Sequence, residues 1–320
     1  MFERIPMSAP DITEDDVQAV AEVVRSGRLA LGPKTEEFER SVAEYVDVEY
    51  AVAVSSGTAA LHLIVKALGI GPQDEVLVPS FTFVSSANVV LYEGATPVFV
   101  DIEPDTYNLD PEDLERKITP RTKAIMVVDV FGHPAEWDAI LDIAKSHRLL
   151  VIDDSCEALG AEYKGKKVGQ FGDAAAFAFY PNKQMTTGEG GIVVTNNSEI
   201  AKLVRSLRNQ GRGEMGGWLH HERLGYNYRM TEMSAALGVS QIKRIETLIA
   251  RRERVAHLYT KRLADLRQVR PPRVRTYVRS SWFVYVIELA EGLHRDPVMR
   301  AMVLLHQHYI LYIFPLLQLF

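Results

Sequence analysis

Short, continuous apolar runs alternate with segments of helical spacing along most of the chain. The runs fall at 50–55, 75–79, 97–101, 124–130, 149–153, 174–180 and 191–195, each rich in Val, Ile, Phe and Ala and each ending near a turn former or a polar residue. Continuous rather than alternating apolar character marks strands buried on both faces. Between them, 59–68, 85–92, 112–117 and 137–147 carry the helical pattern. Such alternation predicts an α/β domain with a mixed, mostly parallel sheet of about seven strands and helices on both faces. A further helix is predicted over 13–26, where Thr13 and Asp16 form a capping-box pattern and Gly27 supplies the stop.

From Thr231 the pattern changes. Residues 231–266 hold one glycine, Gly238, and no proline, and Ile242, Ile245 and Ile249 recur at helical spacing. This predicts one long helix or two consecutive ones bridging two domains. Pro271-Pro272 marks a boundary, and 282–289 reads as a strand. The expected division is a large domain over 1–248 and a smaller C-terminal α/β domain over 249–320. From about 303 the chain is apolar without the alternation of a helix or surface strand, so the small domain reads as incomplete: truncated or frame-shifted. A membrane-surface anchor is the weaker alternative, since basic residues to hold anionic lipid are missing.

Composition narrows the function classes. A net charge of −6 with no basic run argues against nucleic acid as a partner. The lone Cys156 fits a reducing compartment. The N-terminal stretch lacks the charged and apolar regions of a signal peptide, and no apolar run is long enough to span a membrane, so a cytoplasmic location is expected.

Four places at strand ends carry candidate chemistry, the position where α/β folds bind ligands. Ser55-Ser56-Gly57-Thr58-Ala59-Ala60 follows one strand and opens a helix, whose free N–H groups and positive dipole end suit a phosphate. A capped helix without a ligand is the plainer reading of that motif alone. Asp154 ends an apolar strand, where a carboxylate can hold the proton on a ring nitrogen, as a pyridoxal electron sink requires; strand-end capping is the alternative. Lys183 lies in a Thr- and Gly-rich loop between two buried strands, a setting suited to Schiff-base chemistry, although most loop lysines are merely solvated. Phe83 follows another strand and can stack on a flat cofactor or pack in the core. No metal cluster is expected; the adjacent His220 and His221 read as loop residues, and Cys156 as a small buried side chain.

With these residues in this order, the chain resembles the pyridoxal-phosphate (PLP) sugar aminotransferases of the DegT/DnrJ/EryC1/StrS family, of aspartate-aminotransferase fold type. The matching stretches are Ser56-Gly57-Thr58-Ala59-Ala60-Leu61, Val78-Pro79-Ser80-Phe81-Thr82-Phe83, Ile152-Asp153-Asp154, the loop 181–191 and Gly225-Tyr226-Asn227-Tyr228-Arg229-Met230. The resemblance implies that Lys183 forms the Schiff base and moves the proton, Asp154 pairs with the pyridine nitrogen, and Phe83 stacks on the ring. It implies that Gly57, Thr58 and Ala59 bind the phosphate and that Asn227 reaches the phosphate of a neighbouring subunit in a homodimer. Two positions depart from the family pattern. Glu157 stands near the cofactor where Gln or His is common, and its charge implies a structural role. Ala178 replaces a common Ser, at a cost of about 0.5–3 kcal/mol of cofactor affinity.

The function implied is transfer of an amino group, with glutamate as donor, to a keto sugar nucleotide in polysaccharide or amino-sugar biosynthesis. A sugar dehydratase on the same scaffold carries His in place of the lysine, so Lys183 argues against it. A non-catalytic PLP-binding regulator is the alternative of a different class.

Overall fold

The computed structural model describes residues 8–213 and 219–304; the apolar stretch after 304 lies outside the described residues. The seven expected strands are present: β1 (Tyr50–Val54), β2 (Glu75–Pro79), β3 (Thr96–Val100), β4 (Thr122–Val128), β5 (Leu150–Asp154) and, after the two-residue strands β6 (Glu162–Tyr163) and β7 (Lys166–Lys167), β8 (Ala174–Ala178) and β9 (Gly191–Thr195). They form one sheet in the order β1-β9-β8-β5-β4-β2-β3. Strands β3, β2, β4, β5 and β8 are mutually parallel, and β9 is antiparallel to both β8 and β1. Strand β1 therefore runs with β8, and the carboxyl ends of β1, β2, β4, β5 and β8 share one edge.

Ten α-helices stand among the described residues: α1 (Glu14–Ser26), α2 (Pro33–Val46), α3 (Gly57–Ala67), α4 (Ser85–Tyr92), α5 (Pro111–Arg116), α6 (Trp137–His147), α7 (Ser198–Arg208), α8 (Glu232–Ile242), α9 (Ile245–Leu263) and α10 (Arg295–Leu304). On one face of the sheet Val52, Val54, Met126 and Ile152 pack with Leu63, Val89 and Val204 of α3, α4 and α7. On the other face Ala51, Ala53 and Phe177 pack with Phe38, Val239 and Ile249 of α2, α8 and α9. Further along that face Leu77, Ile125 and Val151 pack with Trp137 and Ile140 of α6. Burial on both faces is why the strands read as continuous apolar runs.

The capping box of α1 is formed, with Thr13 N–H donating to Asp16 Oδ2 at 2.9 Å and Gly27 closing the helix at φ +70°. Helices α2 and α7 were not anticipated. Helix α7 is announced locally by Asn197, whose Oδ1 accepts the N–H groups of Glu199 (2.9 Å) and Ile200 (3.3 Å). Helix α2 starts after Gly32, which has no side chain to cap it. Its amides at Lys34 (2.8 Å) and Thr35 (3.0 Å) donate instead to the buried carboxylate of Glu232 at the start of α8, a charge well placed at a helix N-terminus. The segment 231–266 resolves into two helices, with Arg244 at the break bonded to Asp11 and Asp16.

The strand expected over 282–289 is corrected to two residues, β12 (Glu288–Leu289), paired with β10 (Val269–Arg270). Trp282 adopts φ +52°, which breaks any ladder there. The preceding backbone turns inward: Ser281 N–H donates to Gly132 O at 2.9 Å and Phe283 N–H to Phe131 O at 3.0 Å. The short β11 (Val278–Arg279) pairs with β6.

Candidate active site

The carboxyl edge of the sheet gathers the candidate residues. Ser56 caps α3: its Oγ accepts Ala59 N–H at 3.1 Å and its carbonyl accepts Ala60 N–H at 3.0 Å. The amides of Gly57 and Thr58 at the helix start have no intrahelical acceptor, which suits an anion. Two glycines let the backbones close on this loop. A Cβ on Gly57 would lie 2.7 Å from Ala178 Cβ and 3.0 Å from Cys156 Sγ, and one on Gly191 would lie 2.3 Å from Ser56 O. The Thr58 hydroxyl is shared with Ser85 Oγ at 2.8 Å.

Asp154, at the end of β5, is buried and accepts Ser86 Oγ at 2.7 Å and Cys156 N–H at 3.3 Å. A carboxylate has about four lone-pair positions, so acceptor capacity is left for a protonated nitrogen. Phe83, next to Ser86 through a 3.2 Å backbone bond, shows 65% of its surface. Lys183 Nζ lies 3.5 Å from Glu157 Oε1 and 3.9 Å from the centroid of the Phe283 ring, with 13% of its side chain exposed. Glu157 Oε2 accepts Phe131 N–H at 3.0 Å. Burial pushes the Glu157 carboxyl up, and Lys183 and the Phe131 N–H offset part of that. Burial also pushes the Cys156 thiol up; Asp154 adds to this and Lys183 opposes it. The loop amides, the strand-end carboxylate, the exposed ring and the largely enclosed lysine fit a flat, phosphate-bearing pyridine. Among the described residues no group of three or more His, Cys, Asp or Glu is placed to hold a metal ion.

Beneath Asp154 lie Asp129 and Asp153, both without solvent exposure. Ser155 Oγ is 2.7 Å from Asp129 Oδ2 and 2.6 Å from Asp153 Oδ1. A hydroxyl has one proton to donate, so one carboxyl keeps its own proton to complete the second bond. Burial pushes both carboxyls up, and the Asp129 charge pushes Asp153 further. The folded protein thus binds a proton that the unfolded chain releases above about pH 4. The pair's contribution to stability falls by about 1.4 kcal/mol per pH unit as pH rises from there through the folded-state value. Asp153→Asn donates to Ser155 without titrating, so its thermal midpoint is expected to vary less than wild type's between about pH 5 and pH 8; parallel curves would contradict the shared proton.

Asn227 sits in a segment tied to its own chain on both sides: Tyr226 N–H donates to Leu207 O at 2.6 Å, Tyr228 N–H to Arg208 O at 2.9 Å, and Ser55 N–H to Tyr228 O at 2.8 Å. Its side chain is exposed. The flanking rings of Tyr226 and Tyr228 stack 5.0 Å apart beside a His62–Glu93–Lys66 group, in which the His62 and Glu93 side chains are buried and Lys66 reaches the surface. Burial pushes the Glu93 carboxyl up, but Lys66 and His62 more than offset this and leave it below the usual value. Sequence reasoning missed this group, and also Ser86, Phe131 and Phe283. Their only local signals are a hydroxyl after Phe83 and an aromatic after Trp282.

A model of the DegT/DnrJ/EryC1/StrS aminotransferase family matches residues 10–311. GDP-perosamine synthase of Caulobacter vibrioides is 45% identical over 301 residues, covering 93% of this chain and 81% of that one. PseC of Helicobacter pylori, an aminotransferase in the biosynthesis of pseudoaminic acid, superposes with a TM-score of 0.90 at 32% identity, covering 95% and 83% of the two chains. Spr1654 of Streptococcus pneumoniae in its PLP form gives the same TM-score of 0.90 at 32% identity over 95% of this chain and 83% of that one. The chain belongs to the DegT/DnrJ/EryC1/StrS family of PLP-dependent sugar aminotransferases.

Proposed function

We propose that this enzyme transfers an amino group from glutamate to a keto sugar nucleotide. The observation that carries the reading is the meeting of Lys183, held beside Glu157 at 3.5 Å, with Asp154 and the open amides of the Gly57 loop on one sheet edge. When bound, PLP supplies the electron sink that lets an amino group be taken from one carbon and given to another. The chain's own residues do the rest. The Gly57, Thr58 and Ala59 loop holds the phosphate, Asp154 keeps a proton on the ring nitrogen, and Phe83 covers the ring. Lys183 moves the proton between carbon atoms from one side. Glu157 takes its counter-charge role toward Lys183, consistent with its approach to Nζ.

Residues 1–248 make up the cofactor-binding domain in this reading, and 249–320 the smaller one. The active unit is a homodimer. Its support is the exposed apolar surface beside the site, with Phe83, Val84, Leu91 and Tyr92 each more than half exposed, and the outward Asn227, placed to reach a second copy's phosphate. The dehydratase alternative needs His where Lys183 stands. Among the described residues no helix is long and apolar enough to cross a membrane.

A GDP-linked keto sugar is the first acceptor to test, given the likeness to a GDP-perosamine synthase. Purified enzyme with PLP is expected to lose its visible Schiff-base absorption on adding glutamate. It is then expected to release an amino sugar, detected by mass spectrometry, when the acceptor follows. A band unresponsive to every amino donor would count against the reading.

A further inference from the structure

Arg252 lies on α9. Its Nη1 donates to Trp282 O at 3.2 Å and Phe283 O at 3.0 Å, and its Nη2 to Lys183 O at 2.6 Å and Asn182 O at 3.4 Å. These are backbone carbonyls of two segments distant in sequence, joined by one planar cation. Burial pulls the guanidinium below its ordinary value. Phe283 N–H in turn donates to Phe131 O, whose own N–H holds Glu157. Lys183 Nζ ends between the Phe283 ring and Glu157. Gln184 adds a second link between the lysine loop and this segment, its Nε2 donating to Ser281 Oγ at 2.9 Å.

We propose that Arg252 is a positioning residue that staples the Lys183 loop to the 282–283 backbone and so sets Lys183 Nζ between Phe283 and Glu157. The inference rests on the reading of Lys183 as the lysine that binds PLP. A guanidinium fork suits two pairs of carbonyls, and a point-like ammonium does not.

The test adds PLP to cofactor-stripped protein, traps the adduct with borohydride over time, and maps the labelled lysine by peptide mass. Wild type is expected to label Lys183. Arg252→Lys is expected to label it at least about tenfold more slowly despite keeping the charge. Arg252→Ala is expected to be slower still and to be partly rescued by methylguanidinium, which a general loss of fold would not show. Arg251→Ala, one position away with its guanidinium 2.6 Å from Asp11, is expected to match wild type. Labelling of Lys183 in Arg252→Lys at the wild-type rate overturns the proposal, as does a folded Arg252→Ala that ignores methylguanidinium. If Arg252→Ala does not fold, Arg252→Lys decides. A label on a different lysine in wild type overturns the Lys183 reading itself, and the peptide map tells the two failures apart.

Discussion

Lys183→Ala is expected to abolish the visible Schiff-base band with PLP and to lower turnover by roughly 10²–10⁴-fold for the lost proton transfer alone, more once covalent attachment is lost. The fold is expected to survive. The backbone bond from Lys183 N–H to Tyr180 O at 2.9 Å does not depend on the side chain, and Glu157, already pushed up by burial, can hold its proton once the cation leaves. Absorbance with PLP, single-turnover rates and a circular dichroism melt together check this. A mutant that keeps the band would move the attachment to another lysine.

Asp154→Asn is expected to cost roughly 10²–10³ in turnover, the scale of removing one preorganised charge from a reacting centre. Asparagine's single oxygen can accept Cys156 N–H, and its amide NH2 can donate to Ser86 Oγ in place of the bond that Asp154 accepts, so little structural loss is expected. What disappears is the negative charge that, in the proposed function, keeps a ring nitrogen protonated. Steady-state rates and PLP titration measure the two effects separately; a loss below about tenfold would show that this carboxylate does not face the cofactor.

The sheet was legible because its strands are apolar on both sides, a pattern that survives without knowledge of neighbours. The placement of Asp154 and Lys183 at the sheet's carboxyl edge was legible because each sits where a buried strand meets a loop, so local sequence carries the signal. The parts that stayed hidden act across long separations. Arg252 grips carbonyls, which leave no trace in side-chain identity. The His62–Glu93–Lys66 group joins α3 to the end of α4 and to Tyr226 and Tyr228, and each member alone reads as an ordinary surface or core residue. Residues 282–289 carry a strand's composition, but the left-handed Trp282 and the bonds to Phe131 and Gly132 are tertiary facts. Helix α2 went unread because Gly32 offers nothing to cap it.

That last feature bears on how the protein is made. The acceptor for Thr35 N–H, Glu232, enters the chain 197 residues later. At about 5–20 residues per second, α2 emerges from the ribosome and waits roughly 10–40 s for the carboxylate that completes its first turn. Over the same interval Phe38, Val42 and Val46 lack α8, the helix they pack with in the finished core. The N-terminal segment therefore completes its native packing only after α8 has been made. Its apolar stripe is open to chaperones until the chain has been made past residue 232, and closing such distant contacts is a slow step.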